Sequence, residues 1–195
     1  LDLAFFEKRS EALTIRRILK VNHAGEFGAI RIYGAQIAVA RRLFSSIVPA
    51  LEEMRNDEIE HCRLFRSAMP ARQARPCRVM ALWSLGGFVL GALTALMGER
   101  MVWICTEAVE SIVHRHLEDQ LRFLAARDGQ LHGLILSIQE QEQAHLHEAE
   151  RRQTSRGRLR TVALPVIGFL TDTMIWLSTW GDSSWMKSEI DAGSA

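Results

Sequence analysis

Six candidate metal donors recur along this chain at a single interval. Glu26 is followed 32 residues later by Glu58-x-x-His61, and Glu110 is followed 32 residues later by Glu142-x-x-His145. Adding 84 to 26, 58 and 61 gives 110, 142 and 145. Residues three apart on an α-helix share a face, so each Glu-x-x-His pair can point both side chains into one core. Four carboxylates and two neutral imidazoles carry four negative charges, the complement of two divalent cations. Oxygen-rich sites with some imidazole suit iron or manganese, and no Cys stands among the donors. A lone Glu-x-x-His would be an ordinary surface helix pair worth ~0.2–0.5 kcal/mol. Two copies, each trailing an isolated Glu by the same distance, favour a metal site instead.

The neighbours of these donors leave alternatives open. Glu107, one turn before Glu110, has the same chemistry, and only the 84-residue interval favours Glu110 over it. His114 and His116 follow Glu110; either could orient a ligand carboxylate, and His114 at i+4 is the better placed. Tyr33 lies seven residues from Glu26 on the same face, as a core tyrosine or a redox partner. His23 and His147 have no support from spacing. Gly25 and Gly28 flank Glu26 inside a helix, where each costs ~1 kcal/mol against Ala. They serve either close helix packing or open space beside a metal.

To converge, the donors need four helices, two supplying one Glu and two supplying Glu-x-x-His. That is the ligand set of ferritin-like di-iron bundles. Apolar periodicity predicts helices over about 11–43, 48–68, 101–127 and 130–153, with a Pro-bearing linker at 69–78. The fold class expected is all-α: a ferritin-like four-helix di-iron bundle with two additional apolar helices. Those fall at about 79–98 and 159–180, followed by a Gly/Ser/Asp-rich tail expected to fray. One domain over 1–195 is expected, with ligand half-repeats at about 11–68 and 101–153.

Residues 79–98 carry no charge and contain Gly87-x-x-x-Gly91, a membrane-type packing pattern. They are long enough to cross a bilayer of ~30 Å. The half-sites lie on either side of this segment, and a single crossing would separate them. The expectation is therefore that it lies in the membrane interface. The apolar face of 159–180, ending in Trp180 and preceded by Arg151, Arg152, Arg156, Arg158 and Arg160, supports that reading. The competing view makes both helices ordinary core.

A net charge of +1 gives no general field for nucleic acid. Cys62, Cys77 and Cys105 are odd in number and lack C-x-x-C spacing, which points to reduced thiols in an intracellular compartment. Leu-Asp-Leu-Ala-Phe-Phe-Glu-Lys at the start reads as neither signal nor transit peptide. It lacks an initiator Met, so a truncated or processed chain is expected.

The chain resembles the 5-demethoxyubiquinone hydroxylases, the di-iron hydroxylases of ubiquinone biosynthesis. The similar stretches are Asn-His-Ala-Gly-Glu-Phe-Gly-Ala (22–29), Arg-Ile-Tyr (31–33), Asp-Glu-Ile-Glu-His (57–61), the apolar run 82–98 and Ala-Val-Glu-Ser-Ile (108–112). The likeness covers about 12–180. It implies the same ligands, Glu26, Glu58, His61, Glu110, Glu142 and His145, and places the family's nearby histidine on His116 rather than His114. Arg115 and Leu117 depart from the family's usual His and Tyr.

The resemblance also implies two iron ions per chain, cycling between Fe2+ and Fe3+, and electrons traced to NADH. The reaction implied is ring hydroxylation of a polyprenylated demethoxyubiquinol by dioxygen. Peripheral attachment to the inner membrane follows, on the bacterial cytoplasmic or mitochondrial matrix face. The partners expected are the quinol, dioxygen, membrane lipids and a lipid-presenting protein of the pathway, with a homo-oligomer as the assembly. The rival readings are a membrane-bound di-iron quinol oxidase, a ferritin-type iron store, and a non-catalytic membrane-associated helical adaptor.

Overall fold

In the computed structural model, residues 3–153 and 157–193 are described, and they form seven α-helices and no strand. They are α1 (Leu3–Leu43), α2 (Val48–Ala68), α3 (Met80–Leu96), α4 (Glu99–Leu124), α5 (Gly129–Arg151), α6 (Arg158–Ser178) and α7 (Asp182–Gly193). Helix α1 begins earlier than apolar periodicity indicates, and α2 matches its expected bounds. Residues 125–127 turn the chain between α4 and α5, and Asp128 Oδ1 accepts the Leu131 N–H at 2.9 Å to cap α5.

Helices α1 and α2 form one hairpin and α4 and α5 the other; the hairpins pack through α1–α4 and α2–α5 contacts. One long crossover between hairpins is the ferritin-like connection, and here it carries α3. The bundle core is apolar at both ends. At one end Ala29, Tyr33, Leu51, Met54, Trp103 and Ala149 pack together; at the other Ile18, Leu19, Phe65, Leu117, Leu131 and Ile135 do so. On every one of the four helices the candidate donors fall between these two plugs. A polar band at mid-height results, walled from solvent above and below.

Helix α3 lies along α1. A Cβ added to Gly87 would sit 2.5 Å from the Gly28 carbonyl oxygen, and one at Gly91 would meet the Ile32 backbone. The Gly-x-x-x-Gly pattern therefore brings backbone onto backbone inside the protein. Gly28 is likewise a packing glycine, since its added Cβ would fall 2.5 Å from Trp83 Cε3. Gly25 has open space at that position.

The outer faces of α3 and α6 expose Leu85, Phe88, Leu93 and Leu96, and Val162, Phe169, Leu170 and Trp176. At 17 residues α3 spans roughly 25 Å, short of a bilayer core. Helix α6 alone, among the described residues, is long and apolar enough to cross a membrane. Both its ends, however, are tied to the bundle. Arg160 bonds Glu107 of α4 at the start, and α7 returns to the core after the end, burying Met186 and Ile190 against Ile18 and Leu19.

Helix α7 corrects the expectation of a frayed tail. Gly, Ser and Asp dominate its composition, but Met186 and Ile190 are four apart and share a buried face. Asp182 at its start pairs with Arg17 at 3.6 Å and with Lys20. Residues 194–195 lie outside the described residues.

Candidate metal centre

The structure gathers all six sequence-derived donors into one buried cluster. Donor atoms of Glu26, Glu58, His61 and Glu142 lie within 4.8 Å of one another, as do those of Glu58, Glu110, Glu142 and His145. Glu58 and Glu142 belong to both sets, so they occupy the place of shared carboxylates between two positions. Every one of the six is buried, none more than 5% exposed. Each position draws on three carboxylates and one imidazole.

Burial without partners is the telling feature of this band. Both oxygens of Glu58, both oxygens of Glu142, and Nδ1 of His61 and His145 have no hydrogen-bond partner. His61 Nδ1 approaches Glu142 Oε1 to 3.1 Å and His145 Nδ1 lies 3.4 Å from Glu58 Oε1, but off the ring N–H direction needed for a hydrogen bond. Buried polar atoms are ordinarily satisfied, and an unpaired buried carboxylate is costly. Two divalent cations would satisfy all of these atoms and balance the charge, so the donor set fits a dinuclear metal centre.

Burial and mutual proximity shift the proton affinities of these groups. Burial, then the neighbouring Glu58 and Glu142, push Glu26 well above the ordinary carboxylate range. Burial and the same two carboxylates do so for Glu110. Burial alone would depress the imidazoles, but Glu142 and Glu58 more than reverse this, raising His61 to about 10 and His145 to about 12. Burial likewise opposes the charge on Glu142, yet the two imidazoles carry its pKa down to about 2.

Around the cluster, Tyr33 donates its hydroxyl to Glu110 Oε1 at 2.6 Å. One turn below Glu26, Asn22 and Gln120 exchange amide hydrogen bonds of 2.7 and 2.9 Å, pinning α1 to α4. Glu107 is not part of the cluster. It accepts from Gln153 Nε2 at 2.9 Å and pairs with Arg160, which bonds both its oxygens.

Neither His114 nor His116 is brought to the ligand carboxylates. His114 Nε2 lies 3.3 Å from Glu118, and His116 Nε2 lies 3.4 Å from Asp172 of α6. The helical turn carries both side chains toward partners outside the donor band.

Sequence reasoning missed Asp57 and Gln141. His145 Nε2 lies 3.0 Å from Asp57 Oδ2, and His61 Nε2 lies 2.6 Å from Gln141 Oε1. They precede Glu58 and Glu142 and are themselves 84 residues apart, so extending the same interval by one position would have found them.

A four-helix bundle holding two interlocked carboxylate–imidazole half-sites defines a protein of the ferritin-like metal-binding class. The chain belongs to the family of ubiquinone biosynthesis protein COQ7, whose model matches residues 13–178. It is similar to the NADPH-dependent 3-demethoxyubiquinone 3-hydroxylase, mitochondrial, of Mus musculus, at 40% identity over 64% of this chain and 56% of that protein. The protein of the same name from Dictyostelium discoideum is 35% identical over 85% of this chain and 76% of its own length. The 3-demethoxyubiquinol 3-hydroxylase of Rhodospirillum rubrum is 39% identical over 70% of this chain and 64% of its own. The chain spans little more than half the length of the mammalian relatives it matches.

Proposed function

We propose that this chain is a di-iron monooxygenase of ubiquinone biosynthesis, hydroxylating the ring of a polyprenylated demethoxyubiquinol with dioxygen. The observation that carries the reading is the buried band of Glu26, Glu58, His61, Glu110, Glu142 and His145, with orphaned atoms on Glu58, Glu142, His61 and His145, in a chain of this family. Iron bound there would supply the redox chemistry that activates dioxygen. The protein's part is geometry and exclusion. The apolar plugs keep water from the band, Glu58 and Glu142 can serve both positions, and Tyr33 holds Glu110 in place through its hydroxyl. Hydroxylation takes one oxygen atom of dioxygen into the ring and reduces the other to water, which requires two electrons from outside. The resemblance implies NADH as their source, while the names of the mouse and Dictyostelium relatives give NADPH. The donor proposed is accordingly a reduced nicotinamide dinucleotide.

The same reading makes residues 1–195 one domain lying on the inner membrane, with the exposed faces of α3 and α6 toward lipid. An insoluble quinol would enter there, its isoprenoid tail gaining ~0.8 kcal/mol per CH₂ by staying in the bilayer. Among the cations the sequence singles out for headgroups, Arg151 and Arg152 pair with Glu148 and Arg160 with Glu107, and Arg158 has no ion pair among the described residues; Arg156 lies outside the described residues. At the other end, Arg16, Arg75 and Arg78 have no ion pair among the described residues and line a cavity of about 1050 Å³ beside Trp180.

Anaerobic loading with ferrous iron, followed by a demethoxyquinol and ¹⁸O-labelled dioxygen, tests the proposal by mass analysis. One labelled oxygen atom in the ring is expected. Reduction of dioxygen with oxidised but unlabelled quinol would favour the quinol oxidase, and no iron-dependent turnover would favour the adaptor.

A further inference from the structure

The two ligand histidines are held by different chemistry, and each by the opposite half of the chain. Asp57 of the first half takes His145 of the second, and Gln141 of the second half takes His61 of the first. In both rings Nδ1 faces the carboxylates and Nε2 faces the partner. A ring that binds metal through Nδ1 must carry its proton on Nε2 and needs an acceptor there. The carboxylate of Asp57 and the amide oxygen of Gln141 both qualify, but one is charged and the other neutral.

We propose that this crossed pair makes the two metal positions unequal, Asp57 giving the position served by His145 the higher affinity and Gln141 leaving the His61 position weaker. The inference rests on the dinuclear reading above. An anionic acceptor withdraws the Nε2 proton, and the ring gains imidazolate character and donates more strongly through Nδ1. A neutral amide does this less. The donor sets are otherwise matched, three carboxylates and one imidazole each, so the acceptors are the main asymmetry. One effect opposes it: Tyr33 draws density from Glu110, which belongs to the His145 set. Charge-assisted hydrogen bonds are about twice as strong as neutral ones, so Asp57 prevails. The Asp57 side chain is 38% exposed, and water screens part of its charge. The preference should therefore sit near the low end of the ~10–100-fold range for such partners.

Asp57 and Gln141 are positioning residues, and the metal-free protein with zinc as probe reads out their effect without turnover. Histidine ¹⁵N resonances are followed as zinc is added to one equivalent per chain. His145 Nδ1 should move first, with about tenfold preference. Gln141→Glu should bring the two histidines to equal filling, and Asp57→Asn combined with Gln141→Glu should reverse the order. Both changes are near-isosteric at partly or fully exposed side chains, so folding is retained. Simultaneous filling in the natural protein, or an order indifferent to the variants, overturns the inference while leaving the dinuclear reading intact. No zinc-dependent shift at either histidine would instead remove the dinuclear reading itself.

Discussion

Replacing Gly87 with Ala adds one carbon where two helix backbones meet, and the structure sets the size of the response. The new Cβ would lie 2.5 Å from the Gly28 carbonyl oxygen and 3.1 Å from Arg31 Cβ. Carbon contacts are optimal at about 3.5–4.0 Å, so α3 must withdraw from α1 by roughly 1 Å. Backbone cannot swing aside as a side chain can, and overpacking of this kind costs roughly 1–3 kcal/mol. Gly133 is the control. It lies inside α5 with nothing within 4 Å of an added Cβ, so Gly133→Ala should stabilise. The gain is the helix-propensity difference, roughly 0.4–1 kcal/mol. The same intrinsic gain applies at both sites, leaving the clash as the difference. For a chain of this length each kcal/mol moves Tm by about 2–4 °C, so the two variants should melt roughly 2–12 °C apart. Gly87→Ala is the less stable, and its metal content should be unchanged because α3 supplies no donor. Calorimetric melting of both metal-free variants checks this. A Gly87→Ala protein melting at or above Gly133→Ala would refute the close approach of α3 to α1.

Two further outcomes follow from the site and the surface. Glu142 and Glu58 raise both imidazoles, to about 10 and about 12, so each is expected to carry a proton at pH 7 before metal enters. Loading two metals must expel at least these two protons, so affinity must rise with pH across the whole range in which either imidazole is protonated, most steeply below about 10 where both are. Calorimetry in two buffers of different ionisation heat measures the count, and release of fewer than two would contradict the protonated cluster. On the surface, Leu93→Glu and Phe169→Glu should weaken liposome binding and turnover of a long-tailed quinol while sparing a short-tailed analogue. Leu90 is a poorer site for this test because it packs partly into the core. Equal loss on both quinols, with iron content reduced, would make these helices structural.

Much of the bundle could be read from one interval. The 84-residue repeat picked out all six residues of the buried cluster and, through them, the two hairpins, because side chains that meet in one band must sit at a fixed height on each helix. What the repeat could not show was what holds the near neighbours of these residues. The interval favoured Glu110 over Glu107, and the structure adds the reason, Arg160 and Gln153 holding Glu107 away from the cluster. His116 is a similar case, its ring carried to Asp172 on a helix remote in sequence. Helix α7 stayed hidden because helix propensity is weak in Gly, Ser and Asp, while its stability comes from burying Met186 and Ile190 on distant partners. The arginines around the start of α6 show the same limit. Sequence shows charge but not pairing, and Arg151, Arg152 and Arg160 each have a carboxylate partner.

Metal content per folded chain tests the central claim most directly. The natural protein, loaded anaerobically with ferrous iron and freed of excess, should hold close to two iron ions per chain by elemental analysis. His61→Ala and His145→Ala should each fall below that and lose hydroxylation, because each removes the one imidazole of its position. An iron content near zero in the natural protein, or full iron and full activity in either variant, would contradict the account.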